Sequence, residues 1–408
     1  MKKDFVFTFS TQIIVLVSGL IVFKLALLQF GNTGFSEFSM VKRNIAYLYT
    51  LLLLGLGVAI PRYIAKEIGS KSGEENNVFL AACIILFYSL LTAGVLLFGF
   101  QEQITALLFG SQSFSKFIFP LFVSLAGLSL HGLFYAYYRG KMVFKTANLI
   151  QLINIGILPP IAFLFAHNTE ELFLYTGFLM SAVSTPLLIY IFFTEKFQSG
   201  RSTHFIATLF KYGAQRLPAD FGLASLITLP AIFTAHTEGP LIAGYVAFSM
   251  SLLSLSGQAV APVGLIMLPK ISHLLGEKNF TQMRYYIQKL LLFALGISLF
   301  GTILYQSFAD QLLYLYLGHV SDELISISKQ IMWGALFYPF YVTMRSVVDA
   351  YYTRAYNTIS ILLALGIFLL LFTISHNVFN SLVIALSILM GVTLYFIKPL
   401  LTLNKVGK

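Results

Sequence analysis

Long apolar runs separated by short polar stretches make up almost the whole of this 408-residue chain. Most runs contain about 20 residues or more, the length that a helix needs to cross a hydrocarbon core of about 30 Å. The connections are too short to form a soluble domain. The pattern predicts an all-α polytopic membrane protein with about twelve transmembrane helices, at about 7–30, 44–65, 78–100, 114–138, 147–166, 172–193, 208–235, 241–268, 285–306, 325–348, 358–376 and 379–400.

Composition supports a membrane protein. The chain is 58% apolar and 10% charged, whereas a soluble domain carries about 25% charged residues. The first run is too long for a signal peptide, and no cleavage pattern follows it. The only cysteine, Cys83, lies in the third run and forms no internal disulfide. Pro159-Pro160 and Thr185-Pro186 are expected to kink or break the fifth and sixth spans.

Short sequence landmarks recur in the second half of the chain. Pro61-Arg62 is followed 208 positions later by Pro269-Lys270. Leu107-Leu108-Phe109-Gly110 is matched by Leu315-Tyr316-Leu317-Gly318 at the same offset. A third landmark repeats at an offset of 214: Ala136-Tyr137-Tyr138-Arg139 and Ala350-Tyr351-Tyr352-Thr353-Arg354.

The shared order of these landmarks indicates two copies of a unit of about 200 residues. Six helices in each copy make the copies parallel, which is typical of transporters. We therefore predict two pseudo-symmetric six-helix bundles around a central cavity. The predicted boundaries are 1–195 for the N-terminal bundle, 196–207 for a cytoplasmic linker and 208–408 for the C-terminal bundle.

Charge is distributed unequally between the two sides of the membrane. The predicted topology places both termini on a strongly basic side, which includes Lys66, Lys141 and Lys398. The opposite loops are mostly acidic and include Glu102 and Glu238. Because basic loops remain in the cytoplasm, we expect both termini to be cytoplasmic. This asymmetry also accounts for the net charge of +10 without nucleic acid.

Three cations lie near the first two spans. Lys24 has no acidic residue at i±3 or i±4; it either extends to the headgroups or contacts an anion in a wet cavity. Lys42 and Arg43 are within the membrane if the second span begins near Phe35, and in a loop if it begins at Asn44. The sequence leaves both alternatives open.

Two further arginines are each followed by an aspartate at i+4, one helical turn away. These are Arg216 with Asp220 and Arg345 with Asp349. Each is either a structural ion pair or a pair whose arginine is released by an anionic ligand. At the offset of 214, Arg345 corresponds to His131.

His131 is either a hydrogen-bonded core residue or part of a polar cavity. Tyrosines lie near both equivalent positions, among them Tyr135 and Tyr341. Such tyrosines are either interfacial anchors or surfaces on which a sugar stacks.

Several chemistries are absent from the sequence. It contains no GxxxxGK[ST] phosphate loop, no HExxH and no G-x-S-x-G. No Cys/His cluster has the spacing of a metal site. We therefore predict no enzymatic activity, no metal and no cofactor.

The chain resembles the Wzx-type polysaccharide flippases of the multidrug/oligosaccharidyl-lipid/polysaccharide (MOP) superfamily. The resemblance rests on the twelve-span plan and on four stretches: 24–38, 51–65 (LLLLGLGVAIPRYIA), 212–220 (YGAQRLPAD) and 350–354. It implies a V-shaped pair of bundles in the bacterial inner membrane. It also implies transport of undecaprenyl-diphosphate-linked oligosaccharide, an O-antigen or capsule repeat unit, to the periplasmic leaflet.

The resemblance also implies cavity cations from the first, second, and seventh or eighth helices. By location these are Lys24, Lys42, Arg43 and Arg216, to which the repeat adds Arg345. The implied partners are the lipid-linked oligosaccharide, membrane lipids and the glycan polymerase machinery. The alternatives are a cation-coupled multidrug exporter of the same superfamily, a flippase for another precursor such as lipid II, and a membrane glycan polymerase or ligase.

Overall fold

A computed structural model describes residues 2–197, 199–276, 279–318, 320–352 and 356–402. Within these ranges the chain forms α-helices joined by short turns and contains no β-strand. The helices, numbered α1 to α15 in chain order, are Lys2–Leu53, Leu56–Ser70, Glu75–Gly99, Gln101–Phe109, Ile118–Gly140, Phe144–Gln151, Leu158–Ala162, Thr169–Thr194, Ser199–Thr237, Pro240–Gly276, Phe280–Leu317, Asp322–Met332, Tyr338–Tyr351, Tyr356–Ser375 and Val378–Thr402.

The predicted all-helical membrane fold is confirmed. In the described part of the chain, nine helical segments are long and apolar enough to cross a membrane. The remaining three predicted spans coincide with interrupted or merged helices. Two are the segment from α6 to α7 and the segment from α12 to α13. The third, predicted at 44–65, covers the end of α1 and the start of α2, because the helix breaks between Leu53 and Leu56.

Helix α1 contains two spans that meet at Gly31, whose φ of 65° and ψ of −170° interrupt the helix. The second span therefore begins at about Asn32. Lys42 and Arg43 therefore lie within this helix and not in a loop; their depth in the membrane stays a prediction. This span ends at Leu53, and Gly55 (φ 74°) precedes α2.

The internal repeat is visible in the backbone. Gly31 and Gly239 both have positive φ and lie 208 positions apart. Phe100 and Phe308 leave the helical region with φ of −120° and −123°. Gly110 and Gly318, again with positive φ, follow the short amphipathic segments. Thr353 and Arg354 of the third landmark lie outside the described residues.

The fifth span is interrupted at its proline pair, as the sequence predicts. Residues Leu152–Ile157 form a π-helical segment directly before Pro159-Pro160. Pro160 has no N–H, so the carbonyl of Gly156 loses its helical donor. The Ser18 hydroxyl donates to that carbonyl at 2.6 Å. In contrast, α8 continues through Pro186 as one helix.

The chain divides into two compact units. The first comprises Met1–Phe221 with Gly239–Leu241, and the second comprises Gly222–Glu238 with Ile242–Lys408. In the second unit, buried side chains of α10, α11, α13 and α15 form one core, which includes Ile271, Met283 and Phe340. The sequence boundaries 1–195, 196–207 and 208–408 stay a prediction.

Candidate functional site

A cavity of about 240 Å³ lies within the first unit. Its wall comes from both halves of α1, from α5, from the π-helical segment with α7, and from α8. The wall is almost entirely apolar, and Lys42 is the only charged residue among the described residues that form it. The lining residues are Val15, Ser18, Gly19, Val22, Phe38, Lys42, Ile45, Ala46, Ser124, Leu128, Ile155, Pro159, Phe163, Leu172, Phe173, Thr176 and Met180.

The Lys42 ammonium is held by aromatic rings. Its Nζ lies 4.1 Å from the centre of the Phe23 ring and 5.3 Å from that of Phe38. The two rings meet edge to face at 5.3 Å. Within the described part of the chain, Nζ has neither a hydrogen bond nor an ion pair. Aromatic rings attract the cation through their quadrupole but carry no net charge, so the positive charge remains uncompensated.

The hydroxyl groups in the cavity wall are all engaged with backbone carbonyls. Ser18 donates to Gly156 at 2.6 Å, and Ser124 donates to Phe173 at 2.7 Å. Thr176 donates to Leu172 at 2.7 Å. A hydroxyl has a single proton to donate, so among the described side chains of this wall the Lys42 ammonium is the donor that remains for a ligand.

The acidic residue closest to Lys42 along α1 does not neutralise it. Glu37 accepts hydrogen bonds from Lys116 at 3.0 Å and from Thr169. These contacts join α1, α8 and the 3₁₀ turn Gln112–Phe117. Both carboxylate oxygens of Glu37 are thereby occupied.

The other predicted cations of α1 do not line this cavity. Lys24 is half-buried. Arg43 is 9% exposed and directly follows Lys42, so its side chain points about 100° away around the helix. The structure therefore brings one of the three α1 cations into the cavity.

His131, Tyr135 and Arg139 form a stack along one face of α5. The His131 and Tyr135 rings lie 5.8 Å apart and nearly parallel, and the Arg139 guanidinium lies 5.3 Å from the Tyr135 ring. His131 is buried, and its Nδ1 has no hydrogen-bond partner among the described residues. The stack leads from the core to an exposed cation, but none of its members lines the cavity.

Arg216 and Asp220 pair on α9. Their Nε and Oδ2 atoms are 3.7 Å apart, and both side chains are more than one-third exposed. A pair with this exposure contributes little stability.

Close to this pair, α9 touches α2 through Tyr212. Arg62 donates to the Tyr212 hydroxyl at 3.2 Å and lies over the Tyr212 ring. The chain before Arg216 therefore contacts α2, the helix that follows the second span.

In the second unit, Asp349 accepts a hydrogen bond from Asn357 at 2.7 Å. The same Asn357 amide donates to the carbonyl of Arg345 at 2.9 Å. Arg345 is half-buried on α13, and Tyr341 is fully buried. Asn357 lies on the next helix, α14, so the spacing of Arg345 and Asp349 alone gave no sign of it.

A polar cluster beyond the membrane-spanning part of α8 was also missed by sequence reasoning. Glu195 accepts from Lys141 at 2.7 Å, from Asn76 at 2.9 Å and from Tyr137 at 3.4 Å. The hydrogen bond from Lys141 holds the pKa of Glu195 below its usual range. These residues are 54 to 119 positions apart from Glu195, beyond the reach of any local pattern.

Comparison with known proteins shows the fold. No family model and no curated protein matches the sequence. A crystal structure of the eukaryotic MATE transporter AtDTX14 matches with a TM-score of 0.69 and 14% identity, over 99% of this chain and 96% of that one. An inward-facing multidrug resistance MATE family transporter of the MOP superfamily matches with a TM-score of 0.71 and 16% identity, over 97% and 96% of the two chains.

A third structure is described as the lipid II flippase MurJ in an inward closed conformation. It matches with a TM-score of 0.69 and 16% identity, over 99% of this chain and 88% of that one. These neighbours are transporters and flippases. Because the sequence identities are low, the similarity is limited to the fold. This chain is therefore a multi-pass membrane protein whose fold is that of these solved transporter structures.

Proposed function

We propose that this protein is a Wzx-type flippase that moves undecaprenyl-diphosphate-linked oligosaccharide, an O-antigen or capsule repeat unit, from the cytoplasmic to the periplasmic leaflet. One observation carries the proposal: the cavity of the first unit contains a lysine and no acidic residue among its described lining residues. An uncompensated cation inside a transporter favours an anionic substrate over a cationic one.

The state of the intramembrane acids argues against the cation-coupled drug exporter. Such a protein needs carboxylates that are available to a cation. Glu37 is bonded to Lys116 and Thr169, Asp220 lies beside Arg216, and Asp349 is bonded to Asn357. Each is already engaged, so the exporter has less support than the flippase.

The physical requirements of the reaction match this charge pattern. A diphosphate cannot cross hydrocarbon without cations to offset its lost hydration. Lys24, Lys42, Arg43, Arg216 and Arg345 are proposed to meet the diphosphate at successive stages of an alternating-access cycle. Asp220 and Asp349 act as exchange partners that take back Arg216 and Arg345 on release. The sugars contact hydroxyl, amide and aromatic groups, with His131, Tyr135 and Tyr341 as candidates.

The basic side of the chain supports cytoplasmic termini and a location in the bacterial inner membrane. Transport in this direction delivers the glycan lipid to the leaflet where a glycan polymerase acts, and the polymerase is the proposed partner. The fold match with a lipid II flippase supports a second candidate function, the transport of another lipid-linked precursor such as lipid II.

The test is leaflet assignment of polyprenyl-linked glycans in cells that lack the protein. We expect undecaprenyl-diphosphate oligosaccharide to accumulate on the cytoplasmic face, and wild-type protein to restore its export. Lys42→Met and Arg216→Ala are expected to insert normally but to restore export poorly. Unchanged glycan lipids together with raised sensitivity to cationic drugs would favour the exporter instead, and accumulation on the periplasmic face would indicate a polymerase or ligase.

A further inference from the structure

The Lys42 cavity combines one positive charge with a hydrocarbon wall. A volume of about 240 Å³ exceeds that of the apolar cavity of ~150 Å³ that accommodates benzene. An oligosaccharide is larger than this volume, so at most a part of it enters the cavity. The occupant that it admits is a single charged group with a short length of chain.

The hydrogen-bonding capacity of the wall restricts the occupant further. Sugars and diphosphates present many polar atoms, each of which needs a partner once it is removed from water. The hydroxyl groups of Ser18, Ser124 and Thr176 already donate their hydrogen bonds to backbone carbonyls. One ammonium therefore has to satisfy the whole polar part of the ligand, which it can do for one carboxylate or one phosphodiester group.

The position of the ammonium also suits one charge on a hydrocarbon chain. Nζ of Lys42, a lining residue, contacts the rings of Phe23 and Phe38, which carry no charge to neutralise it. Val15, Val22, Leu128 and Met180 supply apolar contacts for the chain attached to the anion.

We infer that the Lys42 cavity binds a lipid anion with one charge, through its carboxylate or phosphodiester head and the adjoining hydrocarbon. The inference rests on the proposed function for its natural ligand: in the transport cycle the cavity takes the phosphate next to the polyprenyl chain and leaves the glycan outside. Binding itself requires no transport and is measured separately.

The experiment uses the purified full-length protein in a non-ionic detergent. Four probes with the same twelve-carbon chain are compared: dodecanoate, dodecyl methyl phosphate, dodecanol and dodecyltrimethylammonium. Affinity is measured by displacement of a dansyl-labelled undecanoate. We expect both anions to displace the label at least tenfold more effectively than the alcohol, and the cation to be ineffective. If only dodecanoate displaces the label, the ligand of the site is a free lipid carboxylate. If dodecyl methyl phosphate displaces it as well, the site also accepts the phosphodiester of a transported lipid.

Two variants test separately the charge of Lys42 and the space in the cavity. Lys42→Met keeps the chain length and removes the charge, and we expect it to weaken dodecanoate binding roughly 10–100-fold. Gly19→Leu fills the cavity, because a Cβ at Gly19 meets no atom within 4 Å; we expect it to abolish binding of all four probes.

Lys289→Met is the matched control. Its Nζ lies 4.4 Å from the Tyr285 ring on α11, a similar cation–π contact outside the cavity, so anion binding should not change. Equal dodecanoate affinity in wild type and Lys42→Met, or equal affinity for dodecanoate and dodecanol, would overturn the inference. Normal glycan-lipid export without anion binding would reject only this inference, whereas anion binding in a protein with no role in export would reject only the proposed function.

Discussion

Gly55 and Gly213 touch through their backbones where α9 crosses the break between α1 and α2. A Cβ at Gly55 would lie 2.8 Å from the Cα of Gly213. A Cβ at Gly213 would lie 1.8 Å from the carbonyl oxygen of Leu54. The chain therefore requires glycine at position 213 for space, and at position 55 for space and for its positive φ.

Gly213→Ala is expected to destabilise the protein. The added methyl group meets backbone and not a side chain that could rotate away, so we expect a loss of about 1–3 kcal/mol in the free energy of unfolding. Thermal unfolding in detergent measures it. Gly301→Ala on α11 is the control, since no atom lies within 4 Å of its added Cβ; an equal effect of the two substitutions would contradict the close approach.

Ser18→Ala tests the hydrogen bond from Ser18 to the Gly156 carbonyl, at the interruption of the fifth span. Without the hydroxyl, the carbonyl of Gly156 loses the hydrogen bond from Ser18, and we expect a loss of about 1–3 kcal/mol. Unfolding midpoints of the variant and wild type provide the measurement. Ser387→Ala is the comparison, because that hydroxyl bonds only within its own helix, to Ile384 at 2.7 Å. The prediction fails if Ser18→Ala is as stable as Ser387→Ala.

Glu195 makes stability depend on pH in the acidic range. Hydrogen bonds, first from Lys141, lower its pKa below the ordinary value of 4.5, so the folded state favours the carboxylate. Its contribution is therefore fully present above pH 4.5 and is lost as the pH falls through the lower, folded-state pKa. We expect Glu195→Gln to lower the unfolding midpoint at pH 7, and the difference from wild type to shrink steadily below pH 4.5.

The control for this pH profile is Glu102→Gln. Glu102 is exposed and lies in the first turn of α4. A difference between Glu195→Gln and wild type that stayed constant from pH 7 to pH 3 would show that the carboxylate is not stabilised in the folded protein.

Asn357→Ala removes the link between α13 and α14 in the second unit. Asp349 and the Arg345 carbonyl lose a shared donor, and we expect a loss of about 1–2 kcal/mol. Asn357→Asp should cost more, because it places a second carboxylate next to Asp349. The order of the two unfolding midpoints is the measurement, and an aspartate variant at least as stable as the alanine variant would disprove the contact.

The helices and the repeat were predictable because both depend on local sequence. An apolar run of about 20 residues has few alternatives to a membrane span, and the repeated Gly110 and Gly318 ended the same element in both halves. Lys42 illustrates the limit. Its neighbours in sequence suggested a loop as readily as a helix, and only the positive φ of Gly31 set the start of the span.

The lining of the cavity and the polar cluster around Glu195 were not predictable, because both depend on contacts between distant segments. Ser18 and Gly156 are 138 residues apart, and Glu195 and Asn76 are 119 apart. Hydrophobicity patterns report which side chains avoid water, but not which helix each of them meets. The cavity between the two bundles, and the role of each cation in it, stay predictions.

The break at Leu54 and Gly55 has no counterpart at the repeat-related position in the part of the second half that the structure describes. Val263, 208 positions after Gly55, lies inside the uninterrupted helix α10. Glycine breaks and interior prolines are both recognised causes of a bend in a helix. Since Pro262 lies beside Val263 inside α10, the two halves differ in form at this position: the first has a glycine break between two helices, and the second has a proline within one continuous helix.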